Sequence, residues 1–131
     1  MTEVTKPRPK FLTLYQIRLP VAGIVSILHR VSGAGLFLLL PLLIYTLQVS
    51  LDPQPAAVAT FQSIKGNFFV QFLLFGLCWA YLHHFCAGIR YLLLDLHIGI
   101  EKSGSRKSAM IVFAVSLSLT LLVALKFLGV M

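Results

Sequence analysis

Residues 31–51, VSGAGLFLLLPLLIYTLQVSL, run without one formally charged side chain, and that length decides the class of fold. An α-helix needs about 20 predominantly apolar residues to cross the hydrocarbon core of a bilayer. Two more charge-free stretches follow, at 66–89 and 108–125. Over the 131 residues 58% are hydrophobic and 11% charged, with a mean hydropathy of +0.90. Soluble domains carry about a quarter charged residues, so this chain belongs in lipid. Backbone polar groups in hydrocarbon must be satisfied within their own segment, and the predicted fold is all-α, an integral membrane bundle of three transmembrane helices. Three spans leave almost nothing for a soluble domain, so machinery larger than a site between helices is expected on partner chains.

The net charge of +7 does not point to nucleic acid, because the basic residues cluster at the ends of the apolar stretches, where they act as topology signals. Lys6, Arg8, Lys10 and Arg18 precede the first span, and Lys102, Arg106 and Lys107 follow the second. The opposite side carries only Lys65 and Lys126. The positive-inside rule then predicts a cytoplasmic N-terminus and second loop, with the C-terminus outside. A cleaved signal peptide would also show a basic tail before an apolar run, but this run is long, Arg30 interrupts it, and no small-residue cleavage site follows. A retained first helix in a bacterial inner (plasma) membrane is expected.

The organisation follows from proline, glycine and charge. Residues 1–20 form a polar lead with Pro7, Pro9 and Pro20, and Pro20 suits a helix start because its missing N–H would be unpaired there. The membrane domain occupies 21–131, with spans at about 21–49, 68–94 and 108–128. Pro41 should kink the first modestly. An outer connection joins the first two spans, and a polar loop at 95–107, with Gly99 and Gly104, leads to the third. Cys78 and Cys86 sit on one helix separated by about 12 Å of rise, too far for a disulfide, and read as packing residues. The third span holds only small hydroxyls, Ser116, Ser118 and Thr120, and its role looks structural.

Chemistry therefore falls to the first two spans. An ionisable side chain in hydrocarbon costs a few kcal/mol and marks a functional site by default. Ser26, His29, Arg30 and Gly33 recur at three- and four-residue steps and share one helix face. Tyr81, His84, Gly88, Tyr91 and Asp95 do the same in the second span. With the spans centred near Leu36 and Ala80, Arg30 lies about 9 Å and His84 about 6 Å toward the cytoplasmic side. One ligand could therefore touch both groups.

Histidine in an apolar helix is a usual ligand for b-type haem iron, and haem propionates need cationic or hydrogen-bonding partners. Gly88, one turn from His84, removes bulk where a porphyrin face would approach. The bland alternative is a histidine that only hydrogen-bonds a neighbouring helix. His83 points about 100° away from His84, and for it and for His97 in the loop the packing reading is preferred.

The run Ser26-Ile27-Leu28-His29-Arg30-Val31-Ser32-Gly33 resembles the S-x-x-H-R-x-[ST]-G signature of the cytochrome b subunit of succinate dehydrogenase, the larger membrane anchor of respiratory complex II. His84-x-x-x-Gly88-Ile89-Arg90, with Asp95 beyond, resembles the family's second motif, and the lead Arg8-Pro9 to Arg18-Leu19-Pro20 also matches.

The resemblance implies that His84 is an axial ligand of haem b, with the other histidine donated by a second, smaller membrane subunit. It implies that His29 and Arg30 approach the propionates, and that Ser26 and Arg30 line a ubiquinone site. A flavoprotein and an iron–sulfur subunit would deliver electrons from succinate. Tyr91 departs from relatives that carry histidine there, and Asp95 is a candidate proton donor. Two other functions use similar parts: a haem-free structural anchor whose polar stripes only glue helices together, and a quinol-oxidising fumarate reductase anchor.

Overall fold

The computed structural model describes residues 17–127 and is all-helical: α1 (Val21–Leu38), α2 (Leu40–Leu51), α3 (Pro55–Gly66), α4 (Phe68–Asp95) and α5 (Lys102–Phe127). Three of these, α1, α4 and α5, are long and apolar enough to cross a membrane. Most of the N-terminal lead, with Lys6, Arg8 and Lys10, and Leu128 at the expected end of the third span lie outside the described residues.

Pro20 opens α1 as its sequence position suggests, accepting from the N–H groups of Gly23 (2.8 Å) and Ile24 (3.1 Å). The single bent helix expected over 21–49 is instead two helices interrupted at Leu39 (φ −97°, ψ 4°). Pro41 has no N–H for the carbonyl of Phe37, and its ring crowds that carbonyl. Leu39 N–H keeps its helical bond to Gly35 O at 3.0 Å and also reaches Phe37 O, and Leu43 N–H bonds Leu39 O at 3.1 Å beyond the break.

The outer connection is itself helical. Pro55 stands in the first turn of α3, where a missing donor costs nothing. Asn67 then serves two helices: its N–H bonds Ile64 O at the end of α3, and its Oδ1 accepts from Phe69 and Val70 at the start of α4.

At the other end the polar loop expected over 95–107 shrinks to a turn at 96–101. His97 (φ 62°) and Gly99 (φ 75°) both adopt the left-handed conformation. His97 N–H bonds Leu94 O and Ile98 N–H bonds Leu93 O, each at 2.9 Å, the pair of bonds that closes a Schellman motif. His97 is thus a helix stop. The third span begins six residues earlier than expected because Ser103, Gly104 and Ser105, which look like loop formers, continue into α5; Ser105 N–H bonds Glu101 O at 2.8 Å. A Cβ on Gly104 would lie 3.1 Å from Gly99 Cα and O, so glycine here permits the close return.

The centre of the bundle is built from small residues. Val25, Ala87, Ala109 and Val112 are buried, with Val21, Ala22, Cys86 and Phe113 packed against them. Small side chains let helices approach closely where lipid supplies no hydrophobic drive for association. The large apolar residues face outward, Phe37, Phe69 and Phe72 among them. In α5, Ser116 and Thr120 bond their own helix at Phe113 O and Ser116 O.

Left-handed backbone costs a non-glycine residue roughly 1–2 kcal/mol. His97→Gly should therefore raise stability, and Gly99→Ala should lower it, each by about 1 kcal/mol, read as opposite shifts in thermal unfolding. Shifts of the same sign would contradict this turn.

Candidate functional site

The two polar stripes meet where α1 crosses α4. Residue His84 is half-buried, and its Nδ1 lies 2.9 Å from the main-chain oxygen of His29 and 3.3 Å from Ser32 Oγ. A carbonyl can only accept, so Nδ1 carries the proton. Ser32 Oγ in turn donates to His29 O at 3.0 Å, which leaves its lone pair to share the same Nδ1–H. With Nδ1 protonated, Nε2 keeps its lone pair and is a competent metal ligand. It makes no hydrogen bond to any described residue.

Glycine makes this contact possible. A Cβ on Gly33 would stand 2.7 Å from His84 Cε1 and 3.2 Å from Nδ1, closer than real side chains come. Side-chain freedom on Gly88 is larger, since its Cβ would meet only His29 Nε2, at 3.8 Å. The His29 ring stacks on His84 with centroids 4.1 Å apart and planes at 10°. Tyr91 leans on the other side of His29, 5.1 Å away at 44°.

Ser26 and Arg30 form a second group one turn along α1. Arg30 is exposed, and its Nη2 donates to Ser26 Oγ at 3.3 Å. Two members of the α4 stripe stay apart: Tyr81 is on the exterior stacked over Phe85, and Asp95 is exposed in the last position of α4. Among the described residues no three His, Cys, Asp or Glu side chains converge as a chelating set. The site offers one oriented imidazole rather than a cage.

His83 turns the opposite way, fully buried between Trp79 and Phe113 with ring centroids 5.4 Å from each. Both its nitrogens, and Trp79 Nε1, lack a partner among the described residues. Two contributors escaped the sequence reading. Ser32 stands three residues from His29, hence on a neighbouring part of the same face, and that spacing was the available signal. Arg90, 5% exposed, clamps α4 to α5 through Ser108 Oγ (Nε, 3.0 Å) and Ser105 Oγ (Nη2, 3.0 Å). No helical period announces that role.

Three long apolar helices packed around an oriented imidazole define a helical membrane protein. Comparison with known proteins narrows this class. Residues 4–123 match the model of the succinate dehydrogenase/fumarate reductase transmembrane subunit, and the chain belongs to that family. It is 35% identical over 109 residues to the succinate dehydrogenase cytochrome b556 subunit of Coxiella burnetii, covering 83% of this chain and 87% of that one. The proteins of the same name from Paracoccus denitrificans (32% over 120 residues, 92% of each chain) and Rickettsia prowazekii (30% over 118 residues, 89% of each) are also similar.

Solid-state 15N NMR of the chain in lipid should find the His84 proton on Nδ1. Gly33→Ala should abolish that signature by displacing the ring. An unchanged spectrum in the variant would show that α1 and α4 do not meet at this glycine.

Proposed function

We propose that the chain is the cytochrome b membrane anchor of a succinate dehydrogenase, carrying haem b at a subunit interface and forming part of the site that reduces ubiquinone. The observation that carries this is the Nδ1–H bond of His84 to the His29 carbonyl. It fixes the tautomer and raises the basicity of Nε2, as second-shell partners of metal-bound histidine do. The glycines at 33 and 88 keep bulk away from the two stacked rings. The similar proteins that bear the cytochrome b556 name support the same reading.

In this proposal α1, α4 and α5 cross the membrane as a three-helix domain over 21–131, preceded by a lead at 1–20. The N-terminus and the α4–α5 turn lie in the cytoplasm and the chain in a bacterial inner membrane, a reading supported by the basic residues at the ends of the spans. His84 would hold the haem iron through Nε2, a histidine of a second, smaller membrane subunit would complete its ligation, and His29 and Arg30 would pair with the propionates. Haem b, when bound, supplies a one-electron carrier within the membrane. A flavoprotein and an iron–sulfur subunit dock on the cytoplasmic side and deliver electrons from succinate.

The Ser26–Arg30 pair suits a quinone carbonyl. Because Arg30 donates to Ser26 Oγ, the serine hydroxyl hydrogen remains available, and its donor strength is increased by the cation behind it. Negative charge grows on the quinone oxygens during reduction, and preorganised donors in a low-dielectric site stabilise that charge. The guanidinium of Arg30 contributes charge and hydrogen-bond donors, and proton delivery falls to water or to Asp95 at the end of α4.

A reduced-minus-oxidised spectrum of the assembled complex should show a b-type haem. His84→Leu should remove or shift that spectrum, and a wild-type spectrum in this variant overturns the ligand assignment. Ser26→Ala and Arg30→Leu should slow ubiquinone reduction by about tenfold or more while sparing succinate oxidation with an artificial acceptor. Equal loss in both assays would indicate failed assembly instead.

A further inference from the structure

An apolar groove of about 310 Å³ runs between α4 and α5 on a face that the histidine site does not use. Ile89 and Leu93 of α4 and Ile111 and Val115 of α5 form its walls, and Arg90 and Ser108 stand at its head. Arg90 is buried, yet its hydrogen bonds go only to neutral oxygens of Ser105 and Ser108. No carboxylate of a described residue accepts from it. Its Nη1 bonds no described residue and is not among the enclosed orphan nitrogens, which belong to Trp79 and His83. Among the described residues the guanidinium lining the groove therefore has no counter-charge, its other neighbour being the Tyr91 ring at 5.5 Å, an expensive arrangement in a membrane helix.

Depth identifies the counter-charge. From Ala80, in the middle of the apolar stretch of α4, to Arg90 the helix rises about 15 Å. That equals half of the roughly 30 Å hydrocarbon core, so Arg90 sits at the edge of the hydrocarbon, within side-chain reach of the lipid headgroups. From Ser108 to Val115, α5 runs about 10 Å back toward the midplane, giving the groove the direction of an acyl chain. Lys102, Arg106 and Lys107 are exposed at the same end of α5 and add to the positive potential that draws anionic headgroups.

We propose that this groove is a binding site for an anionic glycerophospholipid, its phosphate paired with Arg90 and one acyl chain lying between α4 and α5. The guanidinium suits a phosphate because its remaining donors are coplanar and held in place by the two serine bonds. The inference requires α4 and α5 to cross the membrane as proposed above. It is independent of haem and quinone.

The test uses the assembled complex in phosphatidylcholine vesicles, with spin-labelled phosphatidylglycerol or spin-labelled phosphatidylcholine as the probe. Electron paramagnetic resonance should show labelled phosphatidylglycerol immobilised about fivefold more strongly, the effect of one well-placed cation. Arg90→Gln should remove the preference, and Arg90→Lys should retain most of it. Val115→Trp, which leaves the serine clamp untouched, should reduce immobilisation of both labels by filling the slot. The haem difference spectrum reports assembly of each variant and separates failure of this site from failure of the redox reading. Equal immobilisation of the two labels in the wild type overturns the proposal. So does a preference that survives Arg90→Gln, or a density map with a partner helix or a quinone ring against Arg90.

Discussion

The bond from His84 Nδ1–H to the carbonyl of His29 ties together both the fold and the chemistry of this chain. It crosses between α1 and α4, so it can form only if the helices approach to side-chain-free distance, which Gly33 permits. Its acceptor is a main-chain oxygen, whose position no rotamer can change. Ser32 adds a second acceptor lobe and is itself anchored to the same carbonyl. A ring held this way has one tautomer, one orientation and one free lone pair. The His29 ring stacks on it, and Tyr91 leans on His29.

Much of this was legible because membrane segments obey few rules. Charge-free length announced three long helices, and four-residue spacing put Ser26, His29, Arg30 and Gly33 on one face. Equal depth predicted that this face would meet His84. What escaped was local. Hydropathy sees no difference between a bent helix and one broken at Leu39, since both are apolar; the break follows from the donor that Pro41 lacks. Helix α3 was missed because it is only 12 residues long and its start is crowded with proline, which also suits a first helical turn. The α4–α5 loop was drawn too long because serine and glycine near 103–105 resemble a linker, whereas their backbone continues the helix. Tyr81 shares the spacing of the α4 stripe but is exposed beside Phe85, about 10 Å along the helix from Gly88.

The two adjacent histidines show how strongly position governs an imidazole. His84 has a carbonyl, a hydroxyl and an open nitrogen. His83, one residue earlier, is sealed between Trp79 and Phe113 with neither nitrogen paired among the described residues. Arg90 and the α5 serines join α4 to α5 nearby through bonds made by a charged donor, which are stronger than neutral ones.

The short turn stopped by His97 has a consequence for how the chain is made. Helices α4 and α5 are neighbours in sequence, and their closing bonds span only a few residues, so this hairpin can form as one local unit with little loop entropy to overcome. Helix α1 is synthesised earlier but contacts α4 across more than fifty residues. Until it docks, His84 has neither His29 O nor Ser32 Oγ to fix its tautomer and ring direction. The ordered orientation of this imidazole is therefore a property of the finished helix crossing, and the nascent second span carries the histidine without it.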